Sequence, residues 1–244
     1  MRENFKGMTD IHMHLIPGVD DGAWSLEMAM AMIDMAYRQG IRKIIATPHS
    51  SAFVWDWEFV KVNYQILREE VQKNYSEITL YFGCEVNCGT YDMGGILDSL
   101  AKGWFPSLNG TKYVLIDFHP LIETDEVVEC AEQLLEDGWF PILAHLERYR
   151  NVNPEDVKIQ KLKEKGCKIQ INAYSLQEED ISIKERARLL IKNKSVDFLG
   201  TDAHRTIHRP PMAKSGLQYL YEHFDNEYVD DIVYRNAEKY LLIK

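Results

Sequence analysis

The sequence predicts an α/β protein built as a seven-stranded β/α barrel. Short apolar runs that read as buried strands alternate with longer amphipathic stretches, and such alternation implies parallel strands. Polar residues collect at the C-terminal ends of those runs, the end at which barrels of this kind carry their working groups. No glycine-rich nucleotide-binding turn follows the first strand, which disfavours the alternative of a doubly wound open sheet. The 244 residues suit one domain over 1–244, with residues 1–7 expected to form a flexible extension.

Each element has its own reason. Thr9–His14 reads as the first strand, with His12 and His14 on one side and Ile11, Met13 and Leu15 on the other. Two imidazoles on one side of a strand end form half of a metal site. A short Pro/Gly turn then brings Asp20-Asp21-Gly22 to the same mouth. Ser25 caps the first helix, with Glu27 in its first turn. Leu26, Met30, Ile33 and Tyr37 fall on one face and Gly40 ends it. Met28, Met30, Met32 and Met35 read as packing rather than as ligands.

Ile41–Thr47 is a buried strand delivering His49, and Trp55–Tyr75 a long helix. Ile78–Cys84 is a strand running into Glu85. Residues 94–105 are irregular with a short helix, and 106–110 form a turn. Tyr113–Phe118 places Asp117 and His119 on one face; an Asp at an apolar strand end is costly unless paired or metal-bound. A helix over Thr124–Asp137 leads to the strand Phe140–Leu146, which carries His145 and runs into Arg148. After a helix over Pro154–Lys165 come the strand Cys167–Ile171, a helix over Ile183–Asn193, and the strand Val196–Gly200. The last ends in Thr201-Asp202-Ala203-His204. Arg209-Pro210-Pro211 and helical stretches 212–223 and 226–242 finish the chain.

A net charge of -10 argues against nonspecific binding to nucleic acid or to an anionic membrane. No apolar run reaches the roughly 18 residues of a membrane span, and the first residues are polar, so no membrane insertion and a cytoplasmic location are expected. Cys84, Cys88, Cys130 and Cys167 form no CxxC pair and read as reduced, packed thiols. A thiolate phosphatase would carry Arg six positions after its Cys; Thr90, Gly94, Glu136 and Ala173 stand there instead.

Nine side chains gather at the strand ends: His12, His14, Asp21, His49, Glu85, Asp117, His145, Asp202 and His204. Nitrogen and oxygen donors at this density suit a multinuclear centre of Mn, Fe or Zn rather than Ca or Mg.

With Asp10-Ile11-His12-Met13-His14, Pro17-Gly18-Val19-Asp20-Asp21-Gly22, Ala46-Thr47-Pro48-His49, Gly83-Cys84-Glu85, His145-Leu146-Glu147-Arg148-Tyr149, Thr201-Asp202-Ala203-His204 and Arg209-Pro210-Pro211, the chain resembles the polymerase-and-histidinol-phosphatase superfamily. Within it, the chain is similar to the bacterial metal-dependent tyrosine phosphatases of capsular and exopolysaccharide systems. The resemblance implies a distorted (β/α)7 TIM-like barrel and three divalent ions, Mn by preference with Fe or Zn as options. It assigns His12, His14, Glu85 and Asp202 to one ion; Glu85, Asp117 and His145 to a second; and Asp21, His49 and His204 to a third. Asp117 departs from the Glu usual in these phosphatases and is one methylene shorter, so the second ion is expected to sit displaced or bind more weakly, with His119 a candidate to assist.

By the same resemblance Arg148 and Arg209 contact phosphate, and Asp202 or a metal-bound water supplies the leaving-group proton. The implied partner is a phosphotyrosine-containing protein, the Tyr-rich tail of an autophosphorylating bacterial kinase. Trp24, Phe53, Trp55 and Trp57 could flank the substrate ring or lie in the core. The alternatives are a small-molecule phosphoesterase of the same superfamily, acting on histidinol phosphate or a sugar phosphate, and a catalytically inactive metal-binding module.

Overall fold

The computed structural model describes residues 5–243. Its strands are β1 (Met8–Met13), β2 (Ile41–Ala46), β3 (Thr79–Phe82), β4 (Glu85–Asn87), β5 (Tyr113–Asp117), β6 (Phe140–Leu143), β7 (Lys168–Asn172) and β8 (Phe198–Gly200). All pair in parallel, β1-β2-β3 in one ladder and β4 through β8 in the next. Two seams join the ladders. At one, Glu85 N donates to Pro48 O (3.0 Å); at the other, Asp202 N donates to His12 O (2.8 Å) and His14 N to Ala203 O (2.9 Å). The seven expected strand positions therefore close into a ring, and β3 and β4 are the two halves of one of them.

That strand, read in sequence as continuous to Cys84, breaks at Gly83. A side chain there would stand 2.6 Å from Leu108 Cδ2, so glycine lets the chain pass close over Leu108 without displacing it. The bend puts Glu85 into the ladder opposite Leu115. In β1, Asp10 lies opposite Ile44 but Met13 opposite Ala46. Three steps on β1 match two on β2, which is a bulge. It separates Ile11 from Met13, which simple alternation had placed together. Ile11 joins Ile45, Leu115, Ile142 and Phe198 in the barrel floor, sealed by Leu108, Ala237, Leu241 and Ile243. The remaining core lies in a second, larger cluster that includes Met13, Met32 and Ile33.

The helices follow the sequence signals closely. Helix α1 (Leu26–Arg38) begins at Ser25, whose Oγ accepts from Met28 N at 3.2 Å. Helix α2 (Ser50–Asn74) starts five residues earlier than expected, but Asp56 within it is extended and its Oδ1 accepts from Phe59 N. A separate first turn thus follows His49, and Asp56 caps the long helix anew. Helices α3 (Met93–Ala101), α4 (Thr124–Glu136), α5 (Val157–Glu164), α6 (Ile181–Lys192) and α7 (Lys214–His223) follow, and α8 (Asn226–Asp230) runs through a π-turn into α9 (Asn236–Tyr240). Among the described residues, no helix is long and apolar enough to cross a membrane. Residues 1–4 of the expected extension lie outside the described residues, whereas Phe5 packs edge-on against Tyr221.

Asp10 locks the β8–β1 seam. Its buried carboxylate accepts from His12 N (3.1 Å), Thr201 N (3.0 Å) and Thr201 Oγ1 (2.6 Å). Asp10→Ala strands two buried amides and a hydroxyl. A loss of about 3 kcal/mol of folding stability is expected, measured by denaturant unfolding of the cation-free protein; a midpoint unchanged from wild type would contradict this role.

Candidate metal centre

Strand ends and the loops just beyond them carry all nine predicted donors to one mouth. Glu85 sits in their midst. Its Oε1 lies 3.1 Å from His12 Nε2 and 3.4 Å from His145 Nε2; its Oε2 lies 3.3 Å from His14 Nε2 and 2.8 Å from His49 Nδ1. Asp202 Oδ1 stands 3.5 and 3.6 Å from His12 Nε2 and His14 Nε2. Asp21 Oδ1 approaches His49 Nε2 (3.2 Å) and His204 Nε2 (3.4 Å).

Three sets of donor atoms each fall within 4.8 Å of one another: His14, Asp21, His49 and His204; His12, Glu85 and His145; His12, His14 and Asp202. These overlap the three ligand groups the resemblance implies, with three differences. The group of His12, His14 and Asp202 forms without Glu85. His14 also reaches the group around Asp21, and His12 rather than Asp117 completes the group of Glu85 and His145.

The tautomers follow from the partners. His12 Nδ1 faces Gln170 Oε1 (3.3 Å) and His14 Nδ1 faces Asp20 Oδ2 (2.8 Å). Both Nδ1 atoms are thus donors, and the two Nε2 atoms, 3.2 Å apart, turn lone pairs towards each other and towards carboxylate oxygens. Acceptors converging in a buried space need a cation or extra protons among them. The electrostatics say the same. Burial opposes charge on His14, yet Asp20 and Glu85 lift its pKa to about 9. Against the same burial penalty, Asp21 and Glu85 lift His49 to about 11, and Glu85 and Asp117 lift His145 to about 9. Burial and the charge on His14 depress His204. The imidazole and carboxylate donor set fits divalent first-row cations, which would meet the same electrostatic demand.

The profile of the family described as capsular polysaccharide synthesis, CpsB/CapC, matches residues 8–242. The chain belongs to the CpsB/CapC family. It is 33% identical over 235 residues to the tyrosine-protein phosphatase YwqE of Bacillus subtilis, covering 90% of this chain and 86% of YwqE. It is 28% identical over 242 residues to the tyrosine-protein phosphatase CpsB of Streptococcus agalactiae, covering 96% of this chain and 98% of that one. Among solved structures it superposes with a TM-score of 0.82, at 30% identity over 96% of this chain and 94% of the other, on a chain from work describing YwqE of Bacillus subtilis and CpsB of Streptococcus pneumoniae as metal-dependent tyrosine phosphatases. A more distant likeness, to a histidinol phosphatase fold from Listeria monocytogenes (TM-score 0.51, 11% identity), speaks to the barrel alone.

Within the CpsB/CapC frame, Asp117 stands apart. Its Oδ1 is 3.5 Å from His145 Nε2 and accepts from Tyr149 OH (3.1 Å), while Oδ2 accepts from Asn87 Nδ2 (3.3 Å). The shorter side chain is tied at the edge of the cluster by two neutral donors. His119 does not assist: it is exposed, and its Nδ1 accepts from Leu121 N. The strand ends at Asp117, so the alternation that put His119 on the same face no longer applies.

Arg148 and Arg209 line, with His49, Glu85, Asp117 and His145, a cavity of about 420 Å³ above the donors. Arg209 pairs with Asp202 Oδ2, and its Nη1 lies 3.1 Å from His204 Nε2. Burial works against the Asp202 charge, but His12, His145 and Arg209 hold its carboxyl below the usual range. A carboxylate held ionised in this way is suited to holding cations. Of the four aromatics near the mouth, Phe53 is buried and Trp57 packs against it, whereas Trp24 and Trp55 are exposed.

Four supporting residues escaped the sequence reading as functional groups. Gln170 Oε1 accepts from His145 N (2.9 Å) as well as facing His12, and Gln170 Nε2 reaches Asn172 Oδ1 (2.9 Å). Asn172 Nδ2 donates to Asp202 Oδ2 (3.3 Å). Tyr149 holds Asp117, and Asp20 holds His14. Period-two alternation along a strand puts residues two apart on one face, the one signal that could have linked Gln170 and Asn172, but nothing local ties such amides to donors on other strands.

Proposed function

We propose that this protein is a divalent-cation-dependent phosphatase that removes phosphate from tyrosine on a protein. The observation that carries this reading is the convergence of nine nitrogen and oxygen donors beneath a cavity rimmed by two arginines. Membership in the CpsB/CapC family and the names of its relatives support the same reading. His12, His14, Asp21, His49, Glu85, Asp117, His145, Asp202 and His204 hold the cations, three in number and Mn by preference, with Asp117 the weakest contributor. When bound, the cations supply Lewis acidity and a nucleophilic water at neutral pH.

The protein's own residues supply the rest. Arg148, half-buried and without a side-chain hydrogen bond or ion pair among the described residues, is free to fork onto two phosphoryl oxygens. Arg209 lines the same cavity, its guanidinium anchored by Asp202. Phenolate is a fairly good leaving group, so departure does not require a strong protein acid. The substrate is the flexible tyrosine-rich tail of an autophosphorylating kinase controlling polysaccharide synthesis.

The test compares a phosphotyrosyl peptide, histidinol phosphate and p-nitrophenyl phosphate with Mn²⁺ present. Turnover of the peptide is expected to exceed that of histidinol phosphate, to vanish on chelation and to return with Mn²⁺. Preference for histidinol phosphate, or no turnover of any substrate by cation-replete protein, would overturn the proposal.

A further inference from the structure

The loop after β1 contains a buried carboxylate that touches none of the cavity. Asp20 is one residue before the predicted ligand Asp21, yet the two behave oppositely: the Asp21 side chain is 63% exposed and the Asp20 side chain 2%. Asp20 Oδ2 accepts from His14 Nδ1 at 2.8 Å and from His49 N at 3.1 Å, while Oδ1 accepts from Gly22 N at 3.0 Å. The loop is folded tightly against the same histidine. Ala23 N donates to His14 O (3.2 Å), Gly18 N donates to Ala23 O (2.7 Å), and a side chain on Gly22 would stand 2.4 Å from His14 O.

We infer that Asp20 is a positioning residue, which fixes His14 and His49 so that both aim at the cation cluster. Its bond to His14 Nδ1 selects the tautomer whose Nε2 lone pair points at Glu85 and Asp202. Its bond to the His49 amide pins the start of α2, and so the ring facing Asp21 and Glu85. A carboxylate behind a ligating imidazole both orients the ring and raises its basicity, and removing one costs roughly 10- to 100-fold in metal affinity. His14 belongs to two of the three donor groups, so a single side chain outside the ligand set acts on both. The inference rests on the cation-dependent reading above.

The decisive measurement is Mn²⁺ titration of the full chain, followed by calorimetry and by bound metal after dialysis, for wild type, Asp20→Asn and Asp20→Ala. The near-isosteric Asn keeps an oxygen for His14 and His49 but loses the charge, and it also guards against a variant that does not fold. Affinity is expected to fall about tenfold in Asp20→Asn and up to about 100-fold in Asp20→Ala, with turnover in both variants recovering as Mn²⁺ is raised to saturation. Unchanged affinity in Asp20→Ala would overturn the inference. So would lost turnover that saturating Mn²⁺ does not restore, because that marks a general structural role. A wild-type chain that takes up no Mn²⁺ would overturn the underlying reading as well, and the two failures are told apart by the wild-type titration alone.

Discussion

Glu85→Gln is expected to reduce phosphotyrosyl-peptide turnover by roughly a thousandfold or more and to lower the number of cations retained after dialysis. The substitution preserves volume and removes one charge. That charge faces four imidazoles at 2.8–3.4 Å, and those imidazoles hold the carboxyl well below its usual range despite complete burial. No other side chain in the cluster contacts as many of the histidines. A carboxylate amid several cations contributes to holding each of them, and cation catalysis of this kind is worth several kcal/mol in the transition state, each ~1.36 kcal/mol being tenfold in rate. The paired measurement of kcat and metal content decides the matter. Wild-type turnover with full cation content in Glu85→Gln would refute the central role given to this residue.

Arg209→Ala is the second large effect, with a different signature. Turnover should fall about 100- to 1000-fold, the scale of removing one group that stabilises developing charge, while cation content stays near that of wild type. Arg209 adopts a left-handed backbone (φ 56°), sparsely populated for a residue with a side chain and held here by the surrounding fold. His204 N donates to Arg209 O (2.9 Å), which fixes the backbone that aims the guanidinium. Arg209→Lys should recover little, because an ammonium lacks the planar fork. A variant that loses cations as completely as it loses turnover would instead mark Arg209 as a support for Asp202.

The barrel and its nine donors were legible in the sequence because each depends on a local pattern. Apolar runs identify strands, and a polar residue just past a run lies at the mouth whatever its neighbours are. What escaped was set by partners distant in sequence. The break at Gly83 depends on Leu108, and the bulge in β1 on the register of β2. His145 turns left-handed (φ 32°) two residues past a strand that ends three residues sooner than expected, with its amide on Gln170. The pairing of Gln170 and Asn172 with His12 and Asp202 crosses strands whose residues lie far apart along the chain. Asp20 was visible as an acid in a turn; that its carboxylate would be the buried one, and Asp21 the exposed one, follows only from how the loop folds back on His14.

The seam between β8 and β1 has a consequence for the order of events during synthesis. His12 and Asp202 meet only when the first strand and the last have found each other across nearly the whole length of the chain. A nascent polypeptide emerging from the ribosome offers its His-x-His early but cannot complete the cluster of donors until the Thr201–His204 segment is free to dock. Assembly of the donor cluster is therefore a late step that reports a finished barrel, and a protein shortened before Asp202 lacks part of that cluster however well its first strands are made.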